Sequence, residues 1–229
     1  MSRKSWAYIL WPVIVFNTIP VCLFGTVFAI AYQRGGEPQN IDLSQPLFWL
    51  YSAICIINWL LAFFVFQKYR REGRSIRNLF ARDGTVFKFN WKPALAMFVV
   101  FNGIWVIYLL AYELLAGGWP SYSGFQDWQK IIFIGVFPIS AGFTEELYWR
   151  GFLITELEAA GQTPQSAILF SAIGFSLVHG IFLPDKLLVT FFLGLVTGFY
   201  YSRERKLFSL MLTHVFADIW SYGLSLFAG

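Results

Sequence analysis

Six ionisable residues stand in stretches that are otherwise apolar. Glu145, Glu146 and Arg150 lie in Phe143-Thr144-Glu145-Glu146-Leu147-Tyr148-Trp149-Arg150, His179 closes Phe175-Ser176-Leu177-Val178-His179, and His214 and Asp218 fall in Thr213-His214-Val215-Phe216-Ala217-Asp218. An Asp, Lys or Arg at the centre of a membrane helix costs ~2.5–3.5 kcal/mol on insertion scales, so such a set requires a shared polar site to offset it. The chain has 2 histidines, and both belong to the set. Carboxylates beside imidazoles suit general acid–base work, metal ligation or a proton relay.

Helical spacing makes the set coherent. Glu146 and Arg150 are four apart and pair on one face, while Glu145 points about 100° away and stays free for other work. His214 and Asp218 are also four apart, so imidazole and carboxylate leave one face of one helix. Thr163-Pro164 reads as an N-cap followed by proline at the first helical position, which with Gly161 and Gln162 marks the tip of a helical hairpin. Glu145 lies 17 residues before Gln162, and His179 lies equally far after it. Two antiparallel helices therefore bring both side chains to one depth, roughly 25 Å below the tip. His214 lies roughly 14 Å down its own helix from the basic turn Arg203–Lys206. The levels match if the first hairpin protrudes by about 10 Å, as its polar end with Glu156, Glu158 and Gly161 allows. Pro138 and Gly142 are placed to kink the first helix and open a wet cavity around the carboxylates. The expected cluster is Glu145, His179, His214 and Asp218.

The elements that carry this cluster are membrane helices. Of the 229 residues 57% are hydrophobic and only 13% charged, against roughly 25% charged in a soluble domain. Aromatics reach 21%, with 10 Trp and 11 Tyr, as amphipathic rings at lipid headgroups require. Apolar stretches run near Trp6–Tyr32, Pro46–Phe66, Ala94–Ala116, Ile131–Trp149, Pro164–Gly180, Phe182–Tyr201 and Leu207–Phe227. Crossing ~30 Å of hydrocarbon takes ~20 helical residues, and most of these stretches qualify. The fifth is short, and the sixth begins with Pro184, Asp185 and Lys186. The first exceeds the usual 7–15 residue apolar core of a signal peptide and reads as a retained helix. The fold expected is an all-α polytopic bundle of about seven transmembrane helices, one membrane domain over residues 1–229.

Basic residues orient it. With the N-terminus inside, only Arg34, Lys130 and Lys186 of the 17 Lys and Arg fall outside, which predicts N-in, C-out. The stretch Lys68, Arg70, Arg71, Arg74, Arg77, Arg82, Lys88 and Lys92 is explained by orientation, with contact to anionic lipid as the alternative. The net charge of +4 reflects this topology and gives no basis for nucleic-acid binding. Cys22 and Cys55 lie in apolar stretches and read as small hydrophobes rather than a disulfide or a nucleophile. Asn17, Asn58, Asn102 and Glu113 also lie in spans and are explained by hydrogen bonds between helices.

The three polar segments resemble the CAAX protease and bacteriocin-processing (Abi) family of intramembrane peptidases. Its pattern is Glu-Glu-x-x-x-Arg, Phe-x-x-x-His and His-x-x-x-Asn or Asp, on successive helices, matched by Glu145 to Arg150, Phe175 to His179 and His214 to Asp218. The resemblance covers about residues 128–225 and implies a catalytic core there. It implies hydrolysis of a peptide bond of a membrane-associated peptide, prenylated or leader, by a Glu-activated water in a prokaryotic cell membrane. By position Glu145 is then the general base, His179 helps hold the water, His214 and Asp218 complete the site, and Glu146 with Arg150 braces the helix. The family has been described both as zinc metallopeptidases and as metal-independent glutamate peptidases. No His-Glu-x-x-His occurs in this chain, yet His179, His214 and Asp218 are of suitable type to hold Zn2+ with a position left for water. The CAAX-processing branch usually has Asn at the last position, whose amide could donate to an oxyanion; Asp218 cannot do so while ionised. The alternative to catalysis is a non-catalytic membrane protein of bacteriocin-immunity or scaffold type that keeps the motifs as a structural polar network. An ion or proton carrier is a third reading, although the repeats or paired broken helices usual in carriers are absent from the sequence.

Overall fold

The computed structural model describes residues 3–33, 43–81, 91–116, 124–179, 181 and 184–227, and within these all regular structure is helical. Helices α1 (Arg3–Gln33), α2 (Ser44–Arg71), the short α3 (Arg77–Phe80) and α4 (Trp91–Ala116) come first. Next, α5 (Asp127–Glu145) runs through a π-helical segment, Glu146–Ile154, into α6 (Thr155–Ala159). Last come α7 (Pro164–Val178), α8 (Pro184–Glu204) and α9 (Leu207–Phe227). Arg34, Arg82 and Lys88 of the charge pattern, with Gly180 and Phe182 at the ends of two expected stretches, lie outside the described residues.

Among the described residues 5 helical runs are long and apolar enough to cross a membrane: Ser5–Ala31, Ser44–Arg71, Trp91–Ala111, Asp127–Ala159 and Leu207–Leu224. With 15 residues, α7 is a shorter apolar helix, and α8 does not join the set. The outward faces are apolar, with Trp11, Trp59, Ile107, Leu114 and Ile131 all exposed. The centre holds Glu146 and Arg150 with no exposed surface. Apolar outside and ionisable inside is the arrangement of a protein solvated by lipid, and the chain is an integral membrane protein.

The densest apolar packing surrounds the π-helical segment, where Tyr148, Trp149, Phe152, Leu153 and Ile154 meet Tyr69 of α2 and Tyr201 of α8. In chain order α7 packs on α8, α5 on α9, and α2 against α5, so the carriers of the polar motifs share one interior. The hairpin tip is formed as its residues predict. Gly161 adopts φ +86°, and the amides of Gly161 and Gln162 bond back to Glu158 O and Leu157 O, closing α6 with the paired bonds of a Schellman turn. Thr163 then accepts from Ser166 N at 3.2 Å and Pro164 opens α7. The polar hairpin end is tied down by charge: Glu156 meets Arg74 at 2.6 Å and Lys68 at 3.0 Å, and Glu158 meets Arg205 at 2.5 Å. Burial opposes the charge of Arg205, but its hydrogen bond to Glu158 together with the electrostatic contributions of Tyr201 and Glu158 outweighs burial and holds the guanidinium above its ordinary value.

The break in the motif helix differs from the one expected at Pro138 and Gly142. The chain stays α-helical past both and turns π-helical at Glu146, and π segments inside α-helices recur at functional sites. Gly142 serves a close approach instead. A Cβ there would stand 2.5 Å from Val215 Cγ2 and 2.8 Å from Val215 N, so its absence lets α9 lie against α5 and brings His214 to the carboxylates. Asn102, expected to bond between helices, donates to Phe98 O of its own helix at 2.8 Å, and Glu113 is exposed.

Candidate active site

The six singled-out residues gather in one interior region, from α5 and the π-helical segment, the end of α7 and the middle of α9. They divide into two arms. In the first, Glu145 accepts a hydrogen bond at Oε1 from Asn58 Nδ2 at 3.1 Å. Its Oε2 makes no hydrogen bond among the described residues and faces His179 Nε2 at 3.9 Å. That gap is too long for a direct hydrogen bond, and a water about 2.8 Å from each atom would bridge it. His179 caps α7 and donates from Nδ1 to Phe175 O at 2.7 Å. A carbonyl only accepts, so Nδ1 carries the proton and a neutral ring offers the Nε2 lone pair toward Glu145. Phe175 packs on the same ring, with centroids 4.5 Å apart, which is the local reason for Phe four residues before His. The shared depth of Glu145 and His179 expected from the hairpin is present as this contact.

The second is the more tightly paired, closed arm, although Glu146 Oε2 and Arg150 Nη1, like Glu145 Oε2, make no hydrogen bond among the described residues. Glu146 Oε1 meets His214 Nδ1 at 2.7 Å, and its Oε2 lies 3.3 Å from Arg150 Nε. His214 Nε2 lies 3.5 Å from Asp218 Oδ2, so one carboxylate stands at each ring nitrogen. Arg150 is further fixed by Thr197 Oγ1, at 2.9 Å from Nε and 2.6 Å from Nη2, and its guanidinium sits 4.0 Å above the Phe175 ring. Phe175 therefore touches both arms, with His179 on one side and Arg150 on the other. The expected i, i+4 pairing of Glu146 with Arg150 holds, and the structure adds that Glu146 also fixes His214. The arms are within electrostatic reach of each other, Glu145 with His214 and His179 with His214.

Asn58, expected only to bond between helices, and Thr197, not singled out by the sequence, complete the contacts. A neutral polar residue in an apolar helix has no period or partner spacing to distinguish it from the glue that joins any two membrane helices. For a metal, the donor types fit zinc, since two imidazoles with anchored Nδ1 atoms and a carboxylate are its usual ligands. Their spacing does not. Among the described residues no three of His, Cys, Asp and Glu stand close enough together to hold a metal ion, and His179 lies with Glu145 rather than with His214 and Asp218.

The helices that carry both arms are also the part of the chain that can be matched. Residues 127–220 match the family model of the Rce1-like type II CAAX prenyl endopeptidases. Over this segment the chain is similar to that family. Helices α1 to α4 lie before the matched residues, so Asn58 reaches Glu145 from outside the family segment. No curated protein and no solved structure matches the chain.

Proposed function

We propose that this protein is an intramembrane endopeptidase that cleaves a membrane-associated peptide by a Glu-activated water. The observation that carries the reading is the first arm: Glu145 held at Oε1 by Asn58, with Oε2 and His179 Nε2 3.9 Å apart, a distance that one water can bridge. A water there donates one proton to Glu145 and one hydrogen bond to His179. Its oxygen attacks the scissile carbonyl as the first proton passes to the Glu145 carboxylate. Collapse of the tetrahedral species breaks the C–N bond, and Glu145 returns that proton to the leaving amine. In this reading His214, braced at Nδ1 by Glu146 and flanked at Nε2 by Asp218, completes the site. Arg150 and Glu146 hold that arm in place.

The family of residues 127–220 points to a prenylated peptide as substrate, and the apolar exterior to one that arrives through the bilayer. The topology proposed is about seven crossings, N-in and C-out, with α7 and α8 as the two short or polar-ended spans. A zinc-assisted variant is supported by one feature, the anchoring of each Nδ1 that zinc-bound histidines show. In it His179, His214 and Asp218 would be the residues to hold the ion, and zinc there would supply Lewis acidity. The test is to reconstitute the protein in lipid and present prenylated and unprenylated C-terminal peptides and leader peptides. Products are mapped by mass spectrometry for the wild type and Glu145→Gln. Cleavage by the wild type and none by the folded variant is expected; equal cleavage by both, or by neither across all peptide classes, would favour a non-catalytic polar network.

A further inference from the structure

His179 occupies a weak position for a residue that must meet Glu145 across a water. It is the last-turn cap of α7, its side chain is 29% exposed, and the final carbonyls of a helix have no partner within it. The described contacts from its own helix are Nδ1 to Phe175 O and its amide to Ser176 O at 3.0 Å. Both turn with the end of α7 and cannot by themselves fix it against α5. Ser176 ties α7 to α8 through Leu187 O at 2.6 Å, below the histidine.

A second anchor comes from α1. Asn17 donates from Nδ2 to Leu177 O at 2.8 Å, two residues before His179, and accepts at Oδ1 from Ile181 N at 3.1 Å, two residues after it. The same Nδ2 group also donates to Val13 O at 2.8 Å within α1. The amide group is thus engaged at both ends, and it spans the backbone on each side of one side chain. A bond between two helices needs one such contact; a bracket around a single residue fixes where that residue points. We propose that Asn17 is a positioning residue that holds His179 in register with Glu145, so that α1, outside the family segment, completes the first arm. The inference rests on the catalytic reading above only for its effect on turnover. Its structural content, that Asn17 governs His179 and not His214, stands independently.

The two histidines make the test direct. Protein labelled with 15N in its imidazoles gives signals from two rings only, assigned with the His214→Ala variant. Asn17→Leu, close in volume and unable to bond, should shift or broaden the His179 signals and leave those of His214 in place. Asn17→Asp keeps the acceptor for Ile181 N and lacks the donor for Leu177 O; it should show the same pattern to a smaller extent and covers the case in which Asn17→Leu fails to fold. With peptide substrate, kcat should fall about tenfold or more with KM little changed, as expected of a displaced reacting group. Unmoved His179 signals in either folded variant, or equal changes at both histidines, would overturn the bracket and leave Asn17 as general helix glue. Movement of His179 alone with full turnover would uphold the bracket and remove His179 from the catalytic reading.

Discussion

Glu145 takes one hydrogen bond, from Asn58, and turns its other oxygen toward a half-exposed His179 at 3.9 Å. Glu146, the next residue, has no exposed surface and meets His214 at 2.7 Å and Arg150 at 3.3 Å. Two carboxylates of one chemistry thus sit in opposite settings. The first has an oxygen without a hydrogen bond among the described residues and a partner at water-bridging distance. The second has an ionisable partner close to each oxygen, although its Oε2 makes no hydrogen bond among the described residues, and its neighbours are in turn held by Thr197 and by the Phe175 ring. On the function proposed above, the open arm is the place for chemistry and the closed arm is its support.

Breaking the open arm should give the largest effect on turnover. Glu145→Gln keeps the size of the side chain and its bond to Asn58 while removing the base. Turnover should fall by at least ~10²-fold, with little change of melting temperature in detergent, because that residue carries little of the packing. A folded variant with near-normal peptide cleavage would end the assignment of the base.

Breaking the closed arm should invert the pattern. Glu146→Gln leaves Arg150 buried beside a neutral amide, and removing one partner of a buried pair costs about 3–5 kcal/mol. Thermal melts should drop sharply, further than for Arg150→Lys, and activity should be lost in step with the folded fraction. Full stability with lost turnover would move Glu146 from support to chemistry.

The division into arms was only partly visible beforehand. Pairs within one helix, Glu146 with Arg150 and His214 with Asp218, follow from a four-residue spacing. Glu145 with His179 follows from equal distances to a turn marked by Gly161, Thr163 and Pro164. Each of these rests on local rules that carry over unchanged into the fold. The tie from Glu146 to His214 does not, because it depends on how closely α9 approaches α5 at Gly142, a tertiary distance with no period in the sequence. The π-helical turn at Glu146–Ile154 likewise has no compositional mark. Asn17 and Asn58 do make the hydrogen bonds between helices expected of them, but which groups they reach, and the part played by Thr197, could not be read because the partners lie 160, 87 and 47 residues away.

Metal dependence sharpens the comparison from another side. Zinc held by His179, His214 and Asp218 would join the two arms through one ion, and the described placement keeps them apart. Protein purified without added metal should therefore hold well under one equivalent of zinc, and turnover should survive a strong chelator. The Asp218→Asn variant separates the mechanisms. An amide is a poorer zinc ligand, so a zinc enzyme would lose metal and rate, whereas an amide N–H beside His214 would donate to the oxyanion and keep or raise the rate. One bound equivalent together with chelator-sensitive turnover would overturn the two-arm geometry in favour of the zinc-assisted variant.

The smallest expected effect tests how the closed arm is held. Thr197 Oγ1 accepts from Nε and Nη2 of Arg150 and is itself within 2.7 Å of Leu193 O in α8. Thr197→Val keeps the branched shape that packs in the helix and removes the acceptor alone. Arg150 would retain Glu146 and the face of Phe175 but lose its hydroxyl partner, and an unmet buried donor costs ~1–3 kcal/mol. The cost should fall toward the lower end, because Nε already lies 3.3 Å from Glu146 and can turn toward it. Melting temperature should fall measurably and turnover should stay within a few-fold of the wild type, since no contact of Glu145 or His179 is touched. A fall in kcat as large as that of Glu145→Gln, with the protein still folded, would show the arms to be one coupled machine and dissolve the distinction between them.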